Sequence, residues 1–167
     1  MTALNFLRRC CDGKHSPPLP PPDAEGLSRL ALNQQLLLHV LANPNALPPE
    51  QDDIFVYAAL AGISGSAAEV REAVFWQLGA WNLPGGSPAG IRLGVERSSG
   101  LVWQSLRLGL DLLDESRFFS ALQRFIATAL TRQAALQEIL LSPVFLQNET
   151  PFQDEGMLIL RNGGVRV

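Results

Sequence analysis

"LSRLALNQQLLLHVL", residues 27–41, decides how this chain folds, because its leucines suit a buried helix as well as a pair of strands. Propensity alone favours a helix. Asn33 and Gln34, however, fall between two short apolar runs, where a hairpin could reverse. "DDIFVYAALAG" at residues 52–62 then adds a third run rich in β-branched and aromatic residues. We therefore read three strands here, with the proline-containing "NPNALPPEQ", residues 43–51, as the loop before the third.

Towards the C-terminus, Ser66 and Glu69 form a Ser-x-x-Glu capping box after "GISG", which predicts a helix running to about Trp81 before "NLPGG" stops it. Val70, Val74, Leu78 and Trp81 mark one side of that helix, and Phe75, Trp76 and Leu83 the other. A helix apolar nearly all round needs cover on two sides, one from its own sheet and the second, in a chain this small, from another molecule. Next, "GIRLGVERSSGLVWQSLRL", residues 90–108, reads as a hairpin. Ile91, Leu93 and Val95 alternate with Arg92, Gly94 and Glu96, "RSSG" makes the turn, and Trp103 rides on the return strand. The last helix starts at the capping residue Asp114 and carries Phe118, Leu122, Phe125, Ala129, Gln133, Leu136 and Leu140 at spacings of three and four until Pro143. The tail, with "MLIL" at residues 157–160, is expected to stay mobile until something binds it.

Towards the N-terminus, residues 2–12 suit a short amphipathic helix with Leu4, Leu7 and Cys11 on one stripe and Phe6 and Cys10 beside it. "SPPLPPPD", residues 16–23, is a stiff polyproline-like connector. This divides the chain into an N-terminal helix and linker (1–23), a globular domain (24–142) and a C-terminal extension (143–167).

Composition fits one domain. The 167 residues are 47% hydrophobic and 17% charged, enough for a real core. A net charge of −3 gives no basic footprint for nucleic acid. The start "MTALNFLRRCCDGKH" has its charges after the apolar patch, the reverse of a secretory signal, and no run is long enough to span a bilayer, so a cytoplasmic protein without membrane insertion is expected. Cys10 and Cys11 are neighbours and poorly placed for a disulfide.

Chemistry is sparse. "GISGS" at residues 62–66 resembles a nucleophile elbow but ends in Ser66, which serves better as a cap than as a companion to a catalytic Ser64. "LPGGSPAG", residues 83–90, lacks the Lys and Ser or Thr of a phosphate loop and leads into a strand. His15 and His39 have no second ligand at metal spacing, and His39 is expected on the exposed face of its strand. The acidic pairs Asp52 and Asp53, and Asp154 and Glu155, are placed in solvated loops. No catalytic residue, metal or cofactor is expected, and binding is the better class.

The element order is helix, three strands, helix, two strands, helix. With Trp81, Asn82 and Leu83 ending the middle helix, and the run "GIRLGVERSSGLVWQSLRLGLDLLDESRFFSALQRFIATA" after it, the chain resembles the class I type III secretion chaperones, the Tir-chaperone (CesT-like) family, over about residues 27–141. Gly90, Leu93 and Val95, then Gly100 and Val102, stand at the family's strand and turn positions, and Leu110 to Asp114 at its step into the last helix. The chain departs in its separated first helix, its basic turn at Arg97 to Gly100, and its C-terminal extension.

The resemblance implies an α+β, α-βββ-α-ββ-α fold with a twisted antiparallel sheet backed by helices. It also implies a cytoplasmic, non-enzymatic homodimer that binds the N-terminal segment of a secreted effector, keeps it soluble and partly unfolded, and hands it to the secretion ATPase. Expected effector contacts are Leu4, Leu7, Leu37, His39, Leu41, Phe55 and Tyr57. The expected dimer surface is Val74, Phe75, Trp76, Leu78 and Trp103. The alternative is a non-enzymatic regulatory adaptor that recruits a partner through the prolines or the tail.

Overall fold

The computed structural model describes residues 2–11, 18–34, 36–42 and 53–142. Its elements are α1 (Ala3–Cys10), β1 (Leu27–Ala31), β2 (Leu37–Leu41), β3 (Asp53–Gly62), α2 (Ala68–Asn82), β4 (Ile91–Val95), β5 (Leu101–Gly109) and α3 (Glu115–Leu140). The strands form one five-stranded sheet in the order β1-β2-β3-β5-β4, with every neighbouring pair antiparallel. Thus residues 27–41 are a hairpin, as the sequence suggested. The loop at 43–51, His15, and the tail from 143 onwards lie outside the described residues.

A side chain explains why the leucine run reverses. Asn33 Oδ1 accepts the Leu36 N–H at 2.6 Å, while the Leu32 N–H donates to the Leu36 carbonyl at 2.9 Å. An Asn folded onto the backbone in this way competes with helix formation and stabilises a turn. Its Nδ2 also donates to Gln133 Oε1 of α3 at 3.2 Å, tying the hairpin tip to the helix layer.

One face of the sheet is covered. Leu38, Val40, Ile54, Val56, Ala58, Val102 and Leu106 pack with Phe118, Leu122, Phe125 and Leu136 of α3 in one core. The Asp114 carboxylate caps α3 by accepting the Arg117 N–H at 2.8 Å. Helix α1 joins this layer through Phe6, whose ring meets Phe118 edge-on with centroids 5.7 Å apart. Its buried stripe is therefore Ala3, Phe6, Leu7 and Cys10, with Leu4 and Cys11 only partly buried. The expected Leu4–Leu7–Cys11 stripe is rotated towards Phe6, the largest side chain available to fill the space beside α3. Leu19 of the proline segment is also buried, and the Pro20 carbonyl accepts from Cys11 Sγ at 3.3 Å.

Two expectations need correction. The Ser66–Glu69 capping box does not form: α2 starts at Ala68 behind Ala67, with no side-chain cap. Ser66 instead closes a tight turn through Gly65 (φ +88°), its N–H donating to the Ile63 carbonyl at 3.3 Å and its own carbonyl accepting from Arg71. Asp53 is not a solvated loop acid but the first residue of β3, buried and paired with Arg107 of β5 at 2.6 Å.

Arg132 of α3 is buried without a carboxylate partner among the described residues. It donates to Gln104 Oε1 at 3.0 Å, to the Gly86 carbonyl at 3.2 Å and to Ser87 Oγ, and lies over the Trp81 ring at 5.2 Å. Gln104 passes the link on through Nε2 to the Phe125 carbonyl at 3.0 Å. One guanidinium thus fastens the α2–β4 loop, β5 and α3 together.

Candidate protein-binding site

Alternation along each strand gives the sheet a second face, and among the described residues no helix covers it. Leu27 of β1, His39 and Leu41 of β2, Tyr57 of β3, Trp103 and Ser105 of β5, and the Gly94 stretch of β4 line a groove of about 530 Å³ there. His39 and Trp103 meet edge-on with centroids 6.2 Å apart, and Phe55 and Tyr57 stack at 6.2 Å beside them. These contacts follow from register, because His39 pairs with Tyr57 across β2 and β3.

The centre of this face is uncharged at neutral pH. Burial, and then the neighbouring Arg29, lower the His39 pKa from its ordinary 6.5, which keeps the imidazole neutral. Burial raises the Tyr57 pKa, so the phenol stays protonated. Guanidiniums surround the centre. Arg29 pairs with Asp23 at 2.9 Å, and Arg107 pairs with Asp53 while lying over the Phe55 ring at 6.0 Å.

The two sheet edges differ. On β4, Asn82 at the end of α2 takes both outward groups of Leu93, donating to its carbonyl and accepting its N–H, each at 3.0 Å. On β1, the bonds Ala42 N–H to Gly26 O and Leu32 N–H to Leu36 O fix the alternation, so Leu27, Arg29 and Ala31 face outward. Asp23 covers Leu27 from both sides: its carboxylate accepts the Leu27 N–H at 3.0 Å and its own N–H donates to the Leu27 carbonyl at 3.0 Å. That first bond, followed by those from Arg29 and the Glu25 N–H, outweighs desolvation and lowers the Asp23 pKa. Among the described residues no group pairs with the outward backbone of Arg29 and Ala31, which leaves that stretch of β1 edge open.

Helix α2 shows the expected two-sided character. Val74 and Leu78 are buried in the chain's own core, whereas Phe75 (52%), Trp76 (74%) and Leu83 (64%) are exposed. Of the effector-contact residues expected from sequence, His39, Leu41, Phe55 and Tyr57 share the open sheet face, and Leu37, at the end of β2, lies on it too. Leu4 and Leu7 sit on α1 in the opposite layer, Leu7 fully buried. Trp103, expected at the dimer surface, lies in the groove with His39. Sequence reasoning gave no site role to Asp23, Leu27, Gly94 or Asn82, although Asn82 stood in the phrase that carries the family resemblance. Gly94 had a signal, as a glycine inside an alternating strand often marks close approach by another group.

Among the described residues no group of three or more His, Cys, Asp or Glu could hold a metal, and no helix is long and apolar enough to cross a membrane. Among the described residues the molecule thus presents an aromatic sheet face uncharged at its centre, an open stretch of sheet edge at Arg29 and Ala31, and an exposed apolar side of α2. The pattern of the Tir chaperone protein (CesT) family matches residues 20–132, and the chain belongs to that family, whose members are chaperones and not enzymes.

Solved structures agree on the fold. A chain of the ExsC–ExsE complex matches with a TM-score of 0.56 at 18% identity, covering 80% of this chain and 92% of the other. A chain of the HopA1–SchA chaperone–effector complex matches with a TM-score of 0.53 at 18% identity, covering 80% and 91%. The Yersinia pestis type III secretion chaperone SycH, in complex with a fragment of YscM2, gives a TM-score of 0.50 at 12% identity, covering 76% and 96%. At such identities the likeness speaks for the fold. No curated protein sequence matches the chain.

Proposed function

We propose that this protein is a cytoplasmic type III secretion chaperone. It binds the N-terminal chaperone-binding segment of a secreted effector, keeps that segment soluble and partly unfolded, and delivers it to the secretion ATPase without hydrolysing anything itself. The observation that carries this reading is the uncovered sheet face. His39, Leu41, Phe55 and Tyr57, with Leu37 at the margin, offer apolar anchorage, and the open Arg29–Ala31 edge can accept an added strand. Leu4 offers a partly exposed contact on α1, and Leu7 supports it from within the core.

The working unit is a homodimer. Phe75 and Trp76 make the contact on α2, Val74 and Leu78 hold that helix from beneath, and Trp103 serves the groove. The chain divides into the N-terminal helix and proline linker (1–23), the globular domain (24–142) and the C-terminal extension (143–167).

The test is a tagged pull-down from the native cytoplasm, with mass spectrometry and limited proteolysis of what co-purifies. One larger secreted protein, held by two copies of this chain through a protected stretch near its own N-terminus, supports the proposal. A partner held through the exposed prolines, or none, overturns it. Point substitutions at Pro18 and Pro21 are cleaner controls than deletion of residues 1–26, because that deletion would strip Phe6, Leu7 and Leu19 from the core.

A further inference from the structure

The groove on the open face has a feature that apolar anchorage does not use. Gly94 pairs with Trp103 across β4 and β5, and a Cβ built on it would meet no heavy atom within 4 Å. The chain therefore leaves the space beside the Trp103 ring unfilled at the one β4 position that lacks a side chain. Two residues earlier on the same side of β4 stands Arg92, which also lines the groove. Three guanidiniums border this face. Arg29 holds Asp23 and Arg107 holds Asp53, but Arg92 donates to the Ile91 carbonyl at 3.3 Å and pairs with no carboxylate among the described residues. Glu96, four residues along the same side just past the end of β4 and so about 13 Å of strand from Arg92, also lines the groove, and its carboxylate accepts the Ser99 hydroxyl at 2.5 Å.

We propose that this groove selects an acidic peptide segment, seating an apolar side chain of the partner beside Trp103 in the space left by Gly94 while Arg92 binds an adjacent carboxylate. The proposal rests on the effector-binding reading above and names the chemistry of the segment. An uncharged apolar floor supplies contact area without direction. The Arg92 guanidinium at its rim, without a carboxylate partner among the described residues and set away from Glu96 along the groove, supplies discrimination between partners.

The experiment uses the full chain and a random-peptide phage library. Sequences recovered on the wild-type protein are expected to place Asp or Glu beside an aromatic or aliphatic residue. Arg92→Glu should weaken the best such peptide about tenfold by fluorescence anisotropy, and replacing the peptide's acid with its amide should weaken it on wild type but add little on Arg92→Glu. Gly94→Leu, whose Cβ meets no heavy atom within 4 Å, should fill the groove and abolish binding while leaving the melting temperature unchanged.

An acid preference that survives Arg92→Glu overturns the proposal, as does wild-type binding by Gly94→Leu, or a library that yields no peptide. A change of sedimentation from dimer to monomer in Gly94→Leu also overturns it, since a second copy would then be the occupant. The proposal fails alone if a secreted protein is held by two copies yet ignores both substitutions. The chaperone reading fails alone if acidic peptides obey both substitutions but no secreted protein is retained.

Discussion

The two faces of the sheet are built from the same strands, often from adjacent residues, yet one is sealed and the other open. Val40 and Val56 look into the layer of α3, whereas His39 and Tyr57 look out over the groove. On the sealed face almost every apolar side chain meets another; of the polar exceptions Gln104 and Arg132 bond each other and Gln133 meets Asn33, while the buried Ser28 hydroxyl has no partner among the described residues. On the open face the aromatic rings touch one another but leave about 530 Å³ beside Gly94 and Trp103. A small domain that buries one face completely can hold the other ready for a partner without losing its fold.

The comparison can be broken hardest from the sealed side. Phe125→Ala should cost about 3–5 kcal/mol, because a fully buried ring at the α3–sheet junction leaves a cavity that its neighbours cannot fill, and denaturant melts would read the loss. Arg132→Ala should follow at about 2–3 kcal/mol, since it strands the buried Gln104 Oε1 and removes the clamp on the α2–β4 loop. Arg132→Lys should recover only part of this, because an ammonium cannot both reach Gln104 and lie flat over Trp81.

At the sheet margin, Asn82→Ala uncovers the β4 edge at Leu93 and should cost about 1 kcal/mol. It should also raise the tendency to associate, visible by light scattering at constant temperature. Tyr57→Ala, on the open face, should change stability less than any of these and partner binding more. Equal losses in both would mean that the two faces are not separable.

Acid should act weakly and with one sign. His39 has a lowered pKa in the fold, so below its ordinary 6.5 the unfolded chain takes up a proton first and stability falls as pH drops. Above that value His39 adds no slope. The groups facing it from neighbouring strands are Arg29 and Tyr57. His39→Gln should flatten the profile on the acidic side.

Much of this molecule was written locally. The Asn33 turn, the strand alternation of Ile91 to Val95, the Asp114 cap and the stripe of α3 each depend on residues within a few positions of one another, where turn chemistry and periodicity operate. So the element order could be read from the chain, and with it the family and the outward direction of His39. The α2 cap failed because Ser66 had a rival use that only the neighbouring Gly65 turn and Arg71 reveal. The stripe of α1 turned because Phe6 finds Phe118, more than a hundred residues away.

What only the tertiary structure decided is which apolar residues remain available. Leu4 and Leu41 are alike in sequence, but α1 lies with α3 while β2 presents Leu41 to the groove. Likewise Arg92 and Arg107 are both arginines in strands, and only folding brings Asp53, 54 residues away, to Arg107. Periodicity fixes a residue's side of its own element. Which side is covered, and which charge is left unpaired, depends on partners distant in the chain.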